Sequence, residues 1–271
     1  EYSAMPRPRT LAVADVNADL LPDVIIGSWQ DGYVGVRLGA GAGTLGAQVG
    51  YWAGGSVSAV AVADFDRDGQ LDIAADNSND SHVAVLPGLG GGRFEASRQL
   101  WPTTLNSTAV EAADLNGDGV PDMVTMDKAA RVVSVMLGTG GAEFVAGVDY
   151  PIAFNAQALR LADFNADDRP DLLVVNDYQT VSVRLNQGNG TFSASVDFTV
   201  SSAGSSSLTA AQVADVNRDG RLDILVPDTS VSKVFALYGV GDGTFATATT
   251  LVSQADPLVA VADFDRDGAV D

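Results

Sequence analysis

One nine-residue pattern returns six times at a nearly fixed interval. Its clearest copy is Asp64-Phe65-Asp66-Arg67-Asp68-Gly69-Gln70-Leu71-Asp72, with carboxylates at positions one, three, five and nine and a glycine at position six. The copies begin at Asp15, Asp64, Asp114, Asp163, Asp215 and Asp263, spaced 49, 50, 49, 52 and 48 residues apart. A period near 50 restricts the chain to a propeller, a solenoid or a related array, because one small supersecondary unit must stack on copies of itself.

The residues between the copies decide what that unit is. A short apolar run precedes each copy, as in residues 11–14, 60–63 and 259–262, and another follows it, as in 24–26, 73–75, 123–125, 172–175 and 224–226. A third run alternates, at 34–38, 83–86, 133–137 and 181–185. β-Branched, alternating runs of four to six residues are strands and too short for helices. A glycine-rich turn then leads to Leu45, Phe94, Phe144, Phe192 or Phe245, and a fourth run reaches Tyr51, Trp101, Tyr150 or Phe198. No window carries a 3.6-residue period. The unit is four strands, and the fold class is all-β, a β-propeller of four-stranded blades. A β-solenoid has much shorter rungs. The aromatic after each glycine turn is expected to pack between blades.

The repeats start near residues 9, 58, 108, 157, 209 and 257. Tyr2 matches the end of a fourth strand, and Asp271 stands at position nine of the sixth copy. Five full periods with partial units at both ends make residues 1–271 a single propeller domain or a fragment of one. The expectation is a piece of a longer protein.

The repeated pattern is an oxygen-ligand loop. Position one is Asp15, Asp64, Asp114, Asp163, Asp215 and Asp263; position three is Asn17, Asp66, Asn116, Asn165, Asn217 and Asp265. Position five is Asp19, Asp68, Asp118, Asp167, Asp219 and Asp267; position nine is Asp23, Asp72, Asp122, Asp171, Asp223 and Asp271. Asp and Asn both offer a side-chain oxygen. Alternate oxygens followed by a sharp turn suit Ca2+, one ion per loop and up to six; Mg2+ resists the loss of water such a loop demands. An EF-hand would place Glu at position twelve, where this chain has Ile26, Ala75, Thr125, Val174 and Val226, so that motif is excluded. Loop one has Leu20 and loop four Asp168 at position six. Leu tolerates left-handed backbone poorly, so loop one is expected to be the weakest site.

Charge and composition exclude several functions. The formal net charge is −20, and the six loops hold more than half of the 35 acidic residues. Such a surface repels phosphate backbones and anionic membranes. No apolar run approaches the ~20 residues of a membrane-spanning helix. Cysteine is absent, which removes disulfides and thiolate chemistry. His82 is the single histidine, so Ser-His triads are nearly excluded, and its setting reads as an exposed turn. An Asp pair could do acid–base work, but the regularly spaced Asp residues are assigned to metal.

The pattern Asp-x-Asn/Asp-x-Asp-Gly-x-x-Asp, with a strand and a Gly-x-Gly-Thr-Phe turn after it, resembles the FG-GAP repeats of the integrin α-subunit propeller and their bacterial relatives, the VCBS repeat proteins. Residues 116–119 and 188–192 carry the likeness best. The resemblance implies a propeller of about six to eight blades in an extracellular or cell-surface setting, where millimolar Ca2+ suits low-affinity loops. It does not settle activity, since function lies in sites grafted on folds. The leading expectation is a non-catalytic module for adhesion, ligand recognition or assembly, with Ca2+ stiffening the loops. Its partner would be an extracellular glycan or protein, or further copies in a larger surface structure. The alternatives are a glycan-binding lectin, with Trp29 and Trp52 as candidates for sugar stacking, and a part of a polysaccharide-active enzyme.

Overall fold

The computed structural model of the chain describes residues 5–97, 99–102, 107–153, 156–176, 179–201, 207–253 and 259–262. Among the described residues there are twenty strands and no helix, so none is long and apolar enough to cross a membrane. The strands form five antiparallel sheets, each a four-stranded meander. Blade one comprises Pro8–Ala14, Asp23–Ser28, Tyr33–Arg37 and Val49–Trp52; blade two Val57–Ala63, Asp72–Asn77, His82–Leu86 and Gln99–Pro102. Blade three comprises Ser107–Ala113, Asp122–Asp127, Val132–Gly140 and Glu143–Pro151. Blade four comprises Ala156–Ala162, Asp171–Asn176, Thr180–Arg184 and Val196–Thr199; blade five Gln212–Ala214, Asp223–Asp228, Lys233–Leu237 and Thr249–Ser253. These are the blades of a β-propeller, as the repeat spacing predicts. The chain divides into two compact units, Glu1–Pro151 with blades one to three and Ile152–Asp271 with blades four and five.

Burial follows position in the blade. Every second strand is almost wholly buried, because it lies inside the sheet and is covered on both faces. That is why residues such as 172–175 read as unbroken apolar runs. Fourth strands are edges and largely exposed in blades one and four. The core lies between neighbouring blades. In the first unit, Ile25, Val34 and Val36 of blade one meet Val57, Val60 and Ile73 of blade two, and a second cluster joins Ala74, Val83 and Val85 to Val110, Met123 and Met136. In the second unit Leu173, Val175 and Val181 pack with Leu208, Ile224 and Val226.

The aromatic residues pack at the same seams. Phe94 meets Tyr51 edge-on with ring centres 5.4 Å apart. Phe144 meets Trp101 at 5.5 Å and Phe65 at 5.6 Å; Phe245 meets Phe198 at 5.2 Å and Phe164 at 5.4 Å. Each contact takes the turn aromatic of one blade to the preceding blade, and edge-on pairs of this kind add about 0.5–1.5 kcal/mol beyond the area they bury.

Candidate metal loops

In each of the five described loops the nine-residue pattern joins the first strand to the second. The last residue of the first strand is always Ala, and it pairs directly with the position-nine Asp: Ala14 with Asp23, Ala63 with Asp72, Ala113 with Asp122, Ala162 with Asp171 and Ala214 with Asp223. The sixth loop, with Asp263, Asp265, Asp267 and Asp271, lies outside the described residues, as does Tyr2.

Backbone N–H groups and loop oxygens form one network that repeats from blade to blade. The position-one carboxylate accepts from the N–H of position six, at 2.7 Å from Leu20, 2.9 Å from Gly69, and 2.8 Å from Gly119, Asp168 and Gly220. The position-three oxygen accepts from the N–H of position five, and the position-five carboxylate from that of position seven; in loop two these bonds are 3.0 Å and 2.7 Å. Such bonds curl the chain tightly enough to drive two residues into left-handed backbone. Position six is left-handed throughout, Leu20 included at φ 67°, so loop one keeps the shape of its neighbours despite its side chain. Position four is left-handed as well, in Ala18, Arg67, Gly117, Ala166 and Arg218. Sequence reasoning missed that second turn, whose one signal was Gly117.

Position nine has a further role. All five of its Asp side chains are fully buried. One oxygen accepts from the N–H of position two, at 2.8 Å in loops one, two and three, 3.0 Å in loop four and 3.1 Å in loop five. The other accepts from the second residue past the third strand, or from late in that strand in blade three: Gly39 at 2.7 Å, Gly88 at 2.6 Å, Gly138 at 2.7 Å, Asn186 at 2.8 Å and Gly239 at 2.9 Å. A Cβ on Gly88 would stand 2.4 Å from the Leu71 carbonyl oxygen, so glycine there permits the close approach. The position-nine Asp is therefore a clasp between loop, second strand and third strand. A carboxylate has about four lone-pair sites, so two N–H bonds leave it able to face a cation as well.

Loop two differs from the other four. With Asn at position three, the amide donates to the position-five carboxylate, at 2.9 Å in loop one, 3.0 Å in loops three and four and 3.2 Å in loop five. Asp66 cannot donate in its ionised form. Carboxylate oxygens of Asp64, Asp66 and Asp72 lie within 4.8 Å of one another, the only such acidic group of three among the described residues. Burial pushes Asp66 above its ordinary value, the Asp68 N–H opposes this, and the charges of Asp68 and Asp64 add to it. Burial likewise raises Asp72, Asp122 and Asp171 to about 6 against the pull of their backbone N–H partners, with loop carboxylates adding to the rise. Asp223 is raised for the same reasons. Hard oxygens converging with unbalanced negative charge are the donor set of a hard cation.

The loops are also tied to the following blade. The carbonyl of Phe65 accepts from Ala142 at 3.2 Å, and that of Phe164 from Gly243 at 3.2 Å. Beside loop two, between the turns of blades two and three, lies a cavity of about 260 Å³ lined by Asp66, Asp68, Glu95, Pro87, Leu89 and Ala142 among others.

The other singled-out residues find ordinary places. His82 is not in a turn: it opens the third strand of blade two, half-buried, with Nδ1 3.1 Å from the Asp80 carbonyl oxygen. Trp29 is half-buried with the Arg9 guanidinium 5.3 Å from its ring centre. Trp52 is 44% exposed beside Tyr33, with ring centres 6.2 Å apart. Sequence reasoning also missed a row of buried polar residues at the ends of the second strands: Ser28, Asn77, Asp127, Asn176 and Asp228. Two of them fasten the connecting chain ahead of the blade's first strand, Asn77 by donating to the Ala53 carbonyl at 2.8 Å and Asp228 by accepting from the Ser207 N–H at 3.1 Å.

Fold and loops together define a repeat propeller with an acidic loop in each blade. The FG-GAP-like repeat pattern matches residues 15–75, 73–125 and 163–226, more than half of the chain, and the protein belongs to that family. A search of curated protein sequences finds no match. Among solved structures, the chain is similar to an Agrocybe aegerita lectin that recognises non-reducing terminal N-acetylglucosamine: TM-score 0.63 and 24% identity over 90% of this chain and 65% of the lectin. It is also similar to BBS1N from its complex with ARL6DN (TM-score 0.60, 11% identity, 91% of this chain and 70% of that one). A Lactobacillus plantarum protein matches at TM-score 0.60 and 14% identity, over 89% of this chain and 69% of that one. At these identities the likeness is one of fold, and the chain spans about two thirds of the length of each.

Proposed function

We propose that the chain is a non-catalytic, extracellular or cell-surface binding module whose blade loops hold Ca2+. The observation that carries this reading is the convergence of Asp64, Asp66 and Asp72 within 4.8 Å. The ions would be structural: each would offset the charge within its loop and stiffen the connection between the first two strands. The partner would be an extracellular glycan or protein, or further copies assembled at the surface, with no nucleic acid and no insertion into a membrane. A non-catalytic role agrees with the composition, because the single histidine sits at a strand start against a backbone carbonyl.

Thermal unfolding with and without Ca2+, together with calorimetric titration, tests the metal reading. An ion that binds only the folded state raises stability by mass action. The expected result is a clear rise in melting temperature with one ion per loop and a weaker response to Mg2+. Absence of both binding and shift would refute it.

Glycan recognition is a second reading, favoured by the cavity beside loop two. Asp66, Asp68 and Glu95 present acceptors for hydroxyl groups, and Val85, Pro87 and Leu89 present an apolar wall. The lectin similarity supports the same reading. A glycan array with wild-type and Glu95→Gln protein separates it from a scaffold role: no bound glycan would exclude it.

A further inference from the structure

A second acidic site lies at the opposite end of the second strands from the aspartate loops. The fifth residue of that strand is Gly27, Met126, Val175 and Pro227 in four blades, but Asp76 in blade two. The fold manages without a carboxylate at this position four times out of five, so its presence once calls for a reason.

Asp76 is fully buried at the seam between blades two and three. Its Oδ2 accepts from the Ser58 hydroxyl at 2.8 Å, and that hydroxyl is also 3.4 Å from the carbonyl oxygen of Ser107 in blade three. Ser107 pairs directly with Asp127 in the blade-three register. Asp127 is 2% exposed, and its Oδ1 is committed to the turn, accepting from Ala129 at 2.7 Å and Ala130 at 2.8 Å. Two oxygens remain. Asp76 Oδ1 and Asp127 Oδ2 are both buried, and neither has a hydrogen-bond partner. A buried carboxylate oxygen without a partner is costly. Burial raises Asp76 to about 7; the Ser58 and Ser107 side chains oppose the rise and the charge of Asp127 adds to it.

We propose that Asp76 and Asp127 hold a divalent hard cation between blades two and three, with the hydroxyls of Ser58 and Ser107 completing the donor set. Two carboxylates balance a charge of +2, and a set made only of carboxylate and hydroxyl oxygens selects Ca2+ or Mg2+ over metals that prefer nitrogen or sulfur. The ion would join the two blades at the end where the aspartate loops cannot act.

The test compares the full chain with its Asp76→Asn and Asp127→Asn variants. The Asp127→Asn change keeps the side-chain oxygen that receives the two turn N–H groups. The Asp76→Asn change removes a buried charge and keeps one oxygen for the Ser58 hydroxyl. Both therefore preserve the hydrogen bonds of the fold. All aspartate loops stay intact and supply the same background. At pH 8, equilibrium dialysis with Ca2+ and in parallel with Mg2+ should show one ion fewer per chain in each variant, and a smaller cation-induced rise in melting temperature than in wild type. Without added cation, Asp76→Asn should melt higher than wild type. Equal ion counts and equal rises in all three proteins would overturn the proposal.

Discussion

Replacing Asp122 with Ala separates the clasp at position nine from any role in metal binding. Asp122 is fully buried; it accepts from the Leu115 N–H at 2.8 Å and from the Gly138 N–H at 2.7 Å. Alanine leaves both donors in place without an acceptor. A buried donor stripped of its partner costs about 1–3 kcal/mol, so the expected loss is about 2–6 kcal/mol. That is a large part of the roughly 5–15 kcal/mol that typically holds a domain folded. Urea unfolding in excess EGTA is the assay, because the chelator removes any contribution from Ca2+. A residue that served only as a metal ligand would leave wild type and variant alike in EGTA and separate them in Ca2+. A loss below about 1 kcal/mol in EGTA would therefore refute the clasp.

Three further outcomes follow from the loops. Leu20→Gly should stabilise the protein by about 0.5–1 kcal/mol, since left-handed Leu costs about 1–2 kcal/mol and glycine returns part of this as unfolded-state entropy; a loss of stability in urea unfolding would contradict it. Asp66→Asn should stabilise the metal-free chain slightly, by giving loop two the amide donor its neighbours have, while lowering its Ca2+ affinity in calorimetry. Unchanged affinity would remove Asp66 from the ligand set. Finally, Asp72, Asp122 and Asp171 have folded values near 6 against 3.8 unfolded. Here the folded state holds more protons, so the stability of the metal-free chain should fall as pH rises from about 4 to about 6. Melting curves in EGTA across that range check the sign, and a rise would refute it.

The strand pattern and the loop positions were legible in the sequence because both obey local rules. Alternating apolar runs fix strands, and a period of about 50 residues fixes the blade. Less legible were features that depend on which group a side chain faces across the sheet. The turn at position four is hidden because Ala18, Arg67, Ala166 and Arg218 adopt left-handed backbone without being glycine. The glycines that close on position nine sit 16 residues downstream, where they read as ordinary turn residues, and in blade four Asn186 takes their place.

Position nine shows most clearly how spacing alone underdetermines chemistry. A run of four carboxylate or amide positions suggests four equivalent ligands, but the structure gives them unequal freedom. Positions one, three and five form the loop surface and hold N–H groups of the loop itself. Position nine is inside the sheet, paired with the alanine that ends the first strand. Its two oxygens must then find partners inside the sheet, and two backbone N–H groups supply them in every described blade, although burial still holds Asp72, Asp122 and Asp171 above their ordinary values. These bonds close the loop from within the chain, so a cation entering it would meet oxygens that the backbone holds in position. The same logic explains why Leu20 can stand at position six: the Asp15 and Asp23 bonds hold the loop closed around it. Retention of the loop fold is thus separable from affinity, which depends on how many carboxylates face the ion. By that measure loop two, with Asp66 added to Asp64 and Asp72, should bind first among the described loops.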